Sequence, residues 1–330
     1  RKGNTRSHSE LGSQAFLRRW YFVLRHGRVG RCQAITQMKN IIIVTGGAGF
    51  VGSNLIELLT RNTKSIILSI DNYSTGSQNN HIKSSRVKYL KGSTLNIYKI
   101  LNRYKKRISA LFHFGEFARI YQSFKNFNEC FESNSQGTKE VFKFCLDNKI
   151  KLIYSATSAS LGHGGKDKNL SPYAFTKSKN LELLENLKKW FKFKFEIIYF
   201  YNVYGKRQIM SGKMATVIGI FENQYLNNKL LTVVRPGSQT RRFTHINDTV
   251  NICYKAWKFN KCAHYSISHK EAYSILDVAK MFKRKIKYLP PRKGERYASA
   301  LTNISLNNKV FKNFGKISLK DYISSFIKDH

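Results

Sequence analysis

The chain has 330 residues, 42% hydrophobic and 13% aromatic, with 58 Lys+Arg against 19 Asp+Glu and a formal net charge of +39. That apolar content buries a sizeable core, which excludes wholesale disorder, and no run approaches eighteen uncharged apolar residues, which excludes a membrane-spanning helix. Five scattered cysteines (Cys32, Cys130, Cys145, Cys253, Cys262), odd in number and never in a C-x-x-C pair, argue against a disulfide framework or a zinc site. They fit a reducing compartment, so a cytoplasmic protein without metal is expected. The charge attracts phosphorylated ligands, nucleic acid or anionic membrane. A lysine-biased proteome gives the same balance, and no block of five consecutive basic residues marks a nucleic-acid tail.

The chain changes character near Met38. Residues 1–37 hold seven Arg, one Lys and a single acid, Glu10, whereas the remaining 293 residues hold 12 Arg against 38 Lys. An Arg-rich, acid-poor leader has the composition of an organellar transit peptide. Upstream sequence translated with the gene, or a fragment boundary, would read the same way. Residues 1–37 are therefore expected to lie outside the fold.

From Met38 onward strand and helix patterns alternate. Short apolar runs at Ile41–Val44, Ile66–Ile70, Ala110–Phe114, Leu152–Tyr154 and Glu196–Phe200 read as strands. Helical spacing recurs at Ser53–Arg61, Phe131–Asp147 and Tyr173–Trp190. Continuous apolar strands separated by helices predict an α/β fold, a Rossmann-type doubly wound parallel sheet covered on both faces. After residue 205 the pattern is mixed, with helices near Asp248–Trp257, Ser274–Phe282 and Leu319–Ile327. The expected division is a cofactor-binding domain over 38–205 and a smaller, mainly substrate-binding lobe over 206–330.

The first motif is Thr45-Gly46-Gly47-Ala48-Gly49-Phe50-Val51-Gly52, between a strand and a helix. Gly46 allows a tight turn, Gly49 lets a pyrophosphate approach backbone N–H groups, and Gly52 lets the helix pack close to the sheet. The next strand ends at Asp71, 19 residues after Gly52, placed for a carboxylate to accept hydrogen bonds from the adenosine ribose. A 2′-phosphate is repelled there and no Arg or Lys follows within Asn72–Thr75, so NAD is favoured over NADP.

The second motif, Ser171-Pro172-Tyr173-Ala174-Phe175-Thr176-Lys177, reads as a helix N-cap, a first-turn proline, and Tyr and Lys on one helix face. A phenol is a poor base at neutral pH, and a nearby ammonium favours its phenolate. Upstream, Tyr154-Ser155-Ala156-Thr157-Ser158 ends a strand with hydroxyls aimed at a sugar oxygen.

With these motifs in this order, the sequence resembles the NAD-dependent epimerase/dehydratase family of extended short-chain dehydrogenases/reductases over roughly residues 40–300. Further carriers are Asp71–Gly76, Tyr154–Gly162, Asn202-Val203-Tyr204-Gly205, Arg241-Arg242-Phe243 and Arg292-Lys293-Gly294-Glu295. The resemblance implies that Tyr173 removes a proton from a sugar hydroxyl while NAD takes hydride from the same carbon. Thr157 would hydrogen-bond the oxygen, and Lys177 would bind the nicotinamide ribose. It further implies cofactor contacts from Gly46, Gly49, Phe50, Val51, Gly52, Asp71, Asn72, Ser93, Thr94, Asn134 and Lys177. Substrate diphosphate and nucleotide would be held by Asn202, Arg241 and Arg292, with Thr157 at the sugar. Dehydratases and decarboxylases of the family carry an acid after that Thr; here Ser158 and Ala159 follow. A 4-epimerase of nucleotide sugars, of the UDP-glucose/UDP-galactose type and working as a homodimer through Phe131–Asp147 and the Tyr173 helix, is the resulting expectation.

Several positions depart from the family. Ser93-Thr94 replaces the usual Asp and apolar residue near the adenine. His113-Phe114-Gly115-Glu116 replaces His-x-Ala-Ala, so Glu116 either reshapes sugar choice or forms a surface ion pair, with Arg119 as a partner. Leu161 replaces a tyrosine. His245 reads as a packed or hydrogen-bonded histidine and His163 as a solvated loop residue. The alternative within the resemblance is another NAD-dependent nucleotide-sugar dehydratase, decarboxylase or reductase. The rival reading from another class is a nucleic-acid-binding protein on the same fold, favoured by charge alone.

Overall fold

The computed structural model describes residues 40–159, 168–292 and 310–330. The leader 1–37, the loop holding Leu161 and His163, and Lys293–Glu295 lie outside the described residues.

β1 (Ile41–Thr45) and β2 (Ile66–Asp71) flank helix α1 (Phe50–Asn62); β3 (Val87–Lys91), α2 (Ile97–Leu101) and β4 (Ile108–His113) follow. After α3 (Ile120–Lys125), α4 (Phe127–Phe131) and α5 (Thr138–Asp147) come β5 (Lys151–Thr157), α6 (Pro172–Phe191) and β6 (Phe195–Phe200). The second half holds β7 (Asn202–Tyr204), α7 (Val217–Leu226), β8 (Leu231–Val234), β9 (Thr240–His245), α8 (Ile246–Phe259) and β10 (His264–Ser268). It closes with β11 (Ala272–Ser274), α9 (Ile275–Met281), β12 (Ile286–Leu289), β13 (Val310–Phe314) and α10 (Leu319–Asp329).

Eight strands form the main sheet in the order β13-β10-β6-β5-β4-β1-β2-β3, every pair parallel. Both faces are covered, and β1 shows why its sequence is apolar throughout. Ile41 and Ile43 enter one core with Val141, Phe142 and Leu184, whereas Ile42 and Val44 enter another with Leu55, Leu59 and Val250. Alternate side chains of one strand thus serve opposite faces. Each fully buried side chain of this size contributes roughly 1.5–3 kcal/mol. A third core, centred on Tyr204, Phe221, Phe243 and Phe282, belongs to the β9 sheet and the helices around it.

Two expectations are modified. The segment Phe131–Asp147 is not one uniform helix: α4 and α5 are joined by a π-helical turn over Glu132–Gly137. That wider turn brings Gly137 against Thr94, where a Cβ would lie 2.3 Å from the hydroxyl; such turns often mark functional sites. The sheet also recruits β10 and β13 from beyond residue 205. Among the described residues no helix is long and apolar enough to cross a membrane.

Candidate active site

The carboxyl ends of the strands open onto a cavity of about 580 Å³. At one end lies the glycine turn. Gly46 has φ +69°, and a Cβ there would sit 2.8 Å from the Phe114–Gly115 backbone. A Cβ on Gly52 would lie 2.1 Å from the Gly46 carbonyl oxygen. Gly49 is the N-cap of α1 and no side chain caps the helix, so first-turn N–H groups stay open toward an anion. Gly46, Gly49, Phe50, Val51 and Gly52 all line the cavity.

Asp71 continues this wall. Its Oδ2 accepts from Ala48 N–H at 2.9 Å and its Oδ1 from Tyr73 N–H at 2.8 Å. Burial raises the carboxyl pKa, and those two N–H bonds draw it back. Asn72, Ser93 and Thr94 line the same end, with Ser93 Oγ accepting from Leu95 N–H at 3.2 Å. A cradle that any Cβ would fill, an uncapped helix start and a carboxylate one strand away together fit a dinucleotide.

Thr157, Tyr173 and Lys177 share the middle of the cavity. Thr157 ends β5, and its Oγ1 accepts from Ala159 N–H at 3.2 Å. Ser171 caps α6, taking the Ala174 N–H at 3.1 Å, and Pro172 opens the first turn. The Tyr173 N–H donates to Ser123 Oγ at 3.2 Å, tying the helix start to α3. Lys177, one turn on, donates to the Ser155 carbonyl at 2.5 Å and lies 4.6 Å from the centre of the Tyr154 ring.

Glu116 is neither a surface ion pair nor a partner of Arg119. Its side chain is 2% exposed and pairs with Lys177, itself 5% exposed. The other carboxylate oxygen accepts from Thr138 Oγ1 (3.0 Å), Tyr154 Oη (3.0 Å) and Asn180 Nδ2 (3.3 Å). Arg119 instead donates Nε and Nη2 to the Met214 carbonyl at 2.9 and 2.6 Å. Beneath Glu116, burial pushes His113 down to about 4; the Glu116 charge opposes that and Lys177 adds to it.

Asn134, expected at the cofactor, lies behind the cavity wall rather than in its lining. It is fully buried, its Oδ1 accepting from Phe117 N–H at 2.7 Å and its Nδ2 donating to Phe117 O at 3.0 Å. The amide is spent on holding the loop that carries Glu116. At the far end Asn202, Arg241 and Arg292 line the cavity. Asn202 Nδ2 donates to Arg242 O at 2.9 Å, Arg241 Nη1 to Thr240 O at 2.8 Å, and Arg292 lies 5.5 Å from the Tyr121 ring centre.

Sequence reasoning missed Gln239, a buried side chain in the same wall. Nothing in its neighbourhood along the chain signals that role. His245 packs edge-on against Tyr204 and caps α8, its Nδ1 accepting from Asn247 N–H at 3.2 Å. Among the described residues no group of three His, Cys, Asp or Glu is placed to hold a metal ion.

The family described as NAD dependent epimerase/dehydratase matches residues 42–268. An ADP-L-glycero-D-manno-heptose-6-epimerase of Brachyspira hyodysenteriae is 28% identical over 74% of this chain and 80% of its own length. A putative UDP-glucose 4-epimerase of Methanocaldococcus jannaschii is 27% identical over 87% of this chain and 97% of its own. Among solved structures, a UDP-glucuronic acid 4-epimerase of Bacillus cereus, in complex with UDP-glucuronic acid and NAD, is 26% identical with a TM-score of 0.75. That likeness covers 88% of this chain and 99% of the other. With the glycine turn, Asp71 and the parallel sheet already placed, the chain belongs to the NAD-dependent epimerase/dehydratase family.

Proposed function

We propose that this enzyme is a nucleotide-sugar 4-epimerase acting on a UDP-hexose, with UDP-glucose and UDP-galactose as the default pair. The observation that carries the reading is the buried stretch after Thr157. Ser158 and Ala159 stand there and neither is an acid. Eliminating water requires a general acid beside the sugar, whereas oxidation and re-reduction at C4 do not.

Tyr173 takes the proton from the 4-hydroxyl and later returns it, Thr157 hydrogen-bonds the same oxygen, and Lys177 would hold the nicotinamide ribose. Gly46, Gly49, Phe50, Val51, Gly52, Asp71, Asn72, Ser93 and Thr94 hold the cofactor. Bound NAD supplies the reversible two-electron acceptor at C4. Asn202, Arg241 and Arg292 hold the nucleotide diphosphate; the planar arginine fork matches phosphate oxygens. Residues 38–205 carry the cofactor and 206–330 mainly close over the substrate. The protein works in the cytoplasm as a homodimer.

The full chain is incubated with UDP-galactose, without added NAD, and UDP-glucose is read out by a coupled UDP-glucose dehydrogenase. Turnover that vanishes in Tyr173→Phe supports the reading. A wild-type chain that carries NAD but inverts neither UDP-galactose nor UDP-glucuronic acid overturns it and moves the search to other nucleotide sugars.

A further inference from the structure

Lys177 is held from behind by a continuous line of buried hydrogen bonds. Thr45 Oγ1, at the end of β1, accepts from the Phe114 and Gly115 N–H groups at 3.2 and 3.1 Å. Its own proton is therefore free to point at His113 Nδ1, 2.7 Å away. An imidazole that accepts at Nδ1 carries its hydrogen on Nε2, and Nε2 faces Thr138 Oγ1 at 3.0 Å. The Thr138 proton then goes to the Glu116 carboxylate at 3.0 Å, a stronger acceptor than the Ser133 carbonyl at 3.4 Å. Glu116 closes the line on the Lys177 ammonium.

Every hydrogen bond in this line points the same way, from Thr45 to the carboxylate. Thr45, His113 and Thr138 are fully buried and none of them lines the cavity. Lysine has a flexible four-carbon stem and three N–H donors. With two donors fixed by Glu116 and the Ser155 carbonyl, the ammonium cannot swing away from the wall. At its other end the line stops one residue before Gly46, the first glycine of the phosphate turn.

We propose that Glu116 is the positioning residue of Lys177, and that Thr45, His113 and Thr138 hold this carboxylate in register with the glycine turn. The two ends of the NAD site, pyrophosphate and nicotinamide ribose, are thereby tied together through the protein interior. This inference rests on the role of Lys177 given above. It adds that a threonine with no surface in the cavity controls that role.

The test uses the full chain as wild type, Glu116→Gln, Thr138→Val, Thr138→Ser and the Glu116→Gln/Thr138→Val double variant. Each of Glu116→Gln and Thr138→Val is expected to lower kcat about 10- to 100-fold, the range for a hydrogen bond to a charged group. KM for the nucleotide sugar is expected to stay within about threefold of wild type, because the loss falls on positioning rather than on substrate binding. The double variant is expected to be no worse than the poorer single one, since members of one line are not additive. Thr138→Ser keeps the hydroxyl and is expected to retain wild-type kcat. NAD affinity, titrated directly, is expected to follow the same non-additive pattern and requires no turnover. A wild type inactive on every UDP-hexose would sink the substrate reading alone, and the NAD titrations would still judge this one. Additive losses, an unaffected Thr138→Val, or equal damage from Ser and Val would overturn it.

Discussion

Asp71 Oδ2 accepts the Ala48 N–H across the glycine turn at 2.9 Å, so the end of β2 and the start of α1 form one hydrogen-bonded unit. The carboxylate proposed to meet the ribose also sets the shape of the phosphate turn.

Replacing it separates the two roles. Asp71→Asn keeps the size but removes the charge, and is expected to weaken NAD binding about 10- to 100-fold, the range for a charge-assisted hydrogen bond. NADP binding falls less, because the repulsion of its 2′-phosphate is removed with the carboxylate. Parallel titrations with the two dinucleotides check this; an unchanged NAD-to-NADP preference would exclude Asp71 from the ribose site.

Gly52 tolerates no side chain. A Cβ would lie 2.1 Å from a backbone oxygen of Gly46, and no flexible side chain is present to yield. Gly52→Ala is expected to cost about 1–3 kcal/mol of stability, typical of overpacking. It also displaces the phosphate turn, so NAD affinity drops in the same variant. Chemical denaturation with and without NAD reads both effects.

His113 makes stability depend on pH. Unfolded, it binds a proton below about 6.5; folded, burial delays that to about 4. The unfolded chain therefore holds more protons across this window, and the His113 contribution is complete above pH 6.5 and disappears as pH falls to 4. The loss amounts to about 3 kcal/mol. His245 and His264 are lowered by burial and act in the same direction. In His113→Gln the slope of unfolding free energy between pH 4 and 6.5 is expected to flatten, as measured by denaturant titration at several pH values. An identical slope would remove His113 as a cause.

The proposed homodimer is tested at an aromatic patch on α4 and α6. Phe127 is 52% and Phe175 37% exposed, and both ring systems meet Phe131, at 4.5 and 6.1 Å between centroids. Exposed aromatic clusters of this kind mark association surfaces. Phe175→Glu is expected to convert a dimer into a monomer in light scattering, with NAD binding retained.

The sheet interior and the first turns of α1 and α6 were readable because local rules and tertiary demands coincide there. β1 is apolar on both faces, Gly46 and Gly52 have no alternative, and Ser171-Pro172 caps a helix in sequence as in space. β3 (Val87–Lys91) carries two lysines on an edge, and β10 (His264–Ser268) buries His and Ser rather than a β-branched run, so neither gives a strong strand pattern. Glu116 was visible as an anomaly, but its partner lies 61 residues away. No spacing rule reaches that far. The Asn134 amide meets Phe117 across a loop, a pairing that no spacing in the sequence announces.

The order β6-β10-β13 along one edge has a mechanical meaning. Each of these parallel strands sends the chain from its carboxyl end into the region that covers the cavity: β7 to β9 after β6, β11 to β12 after β10, and α10 after β13. The covering layer is moored to the main sheet at three neighbouring strand ends. Arg119 and Arg241, both lining the cavity, are themselves tied to backbone carbonyls of that layer, at Met214 and Thr240.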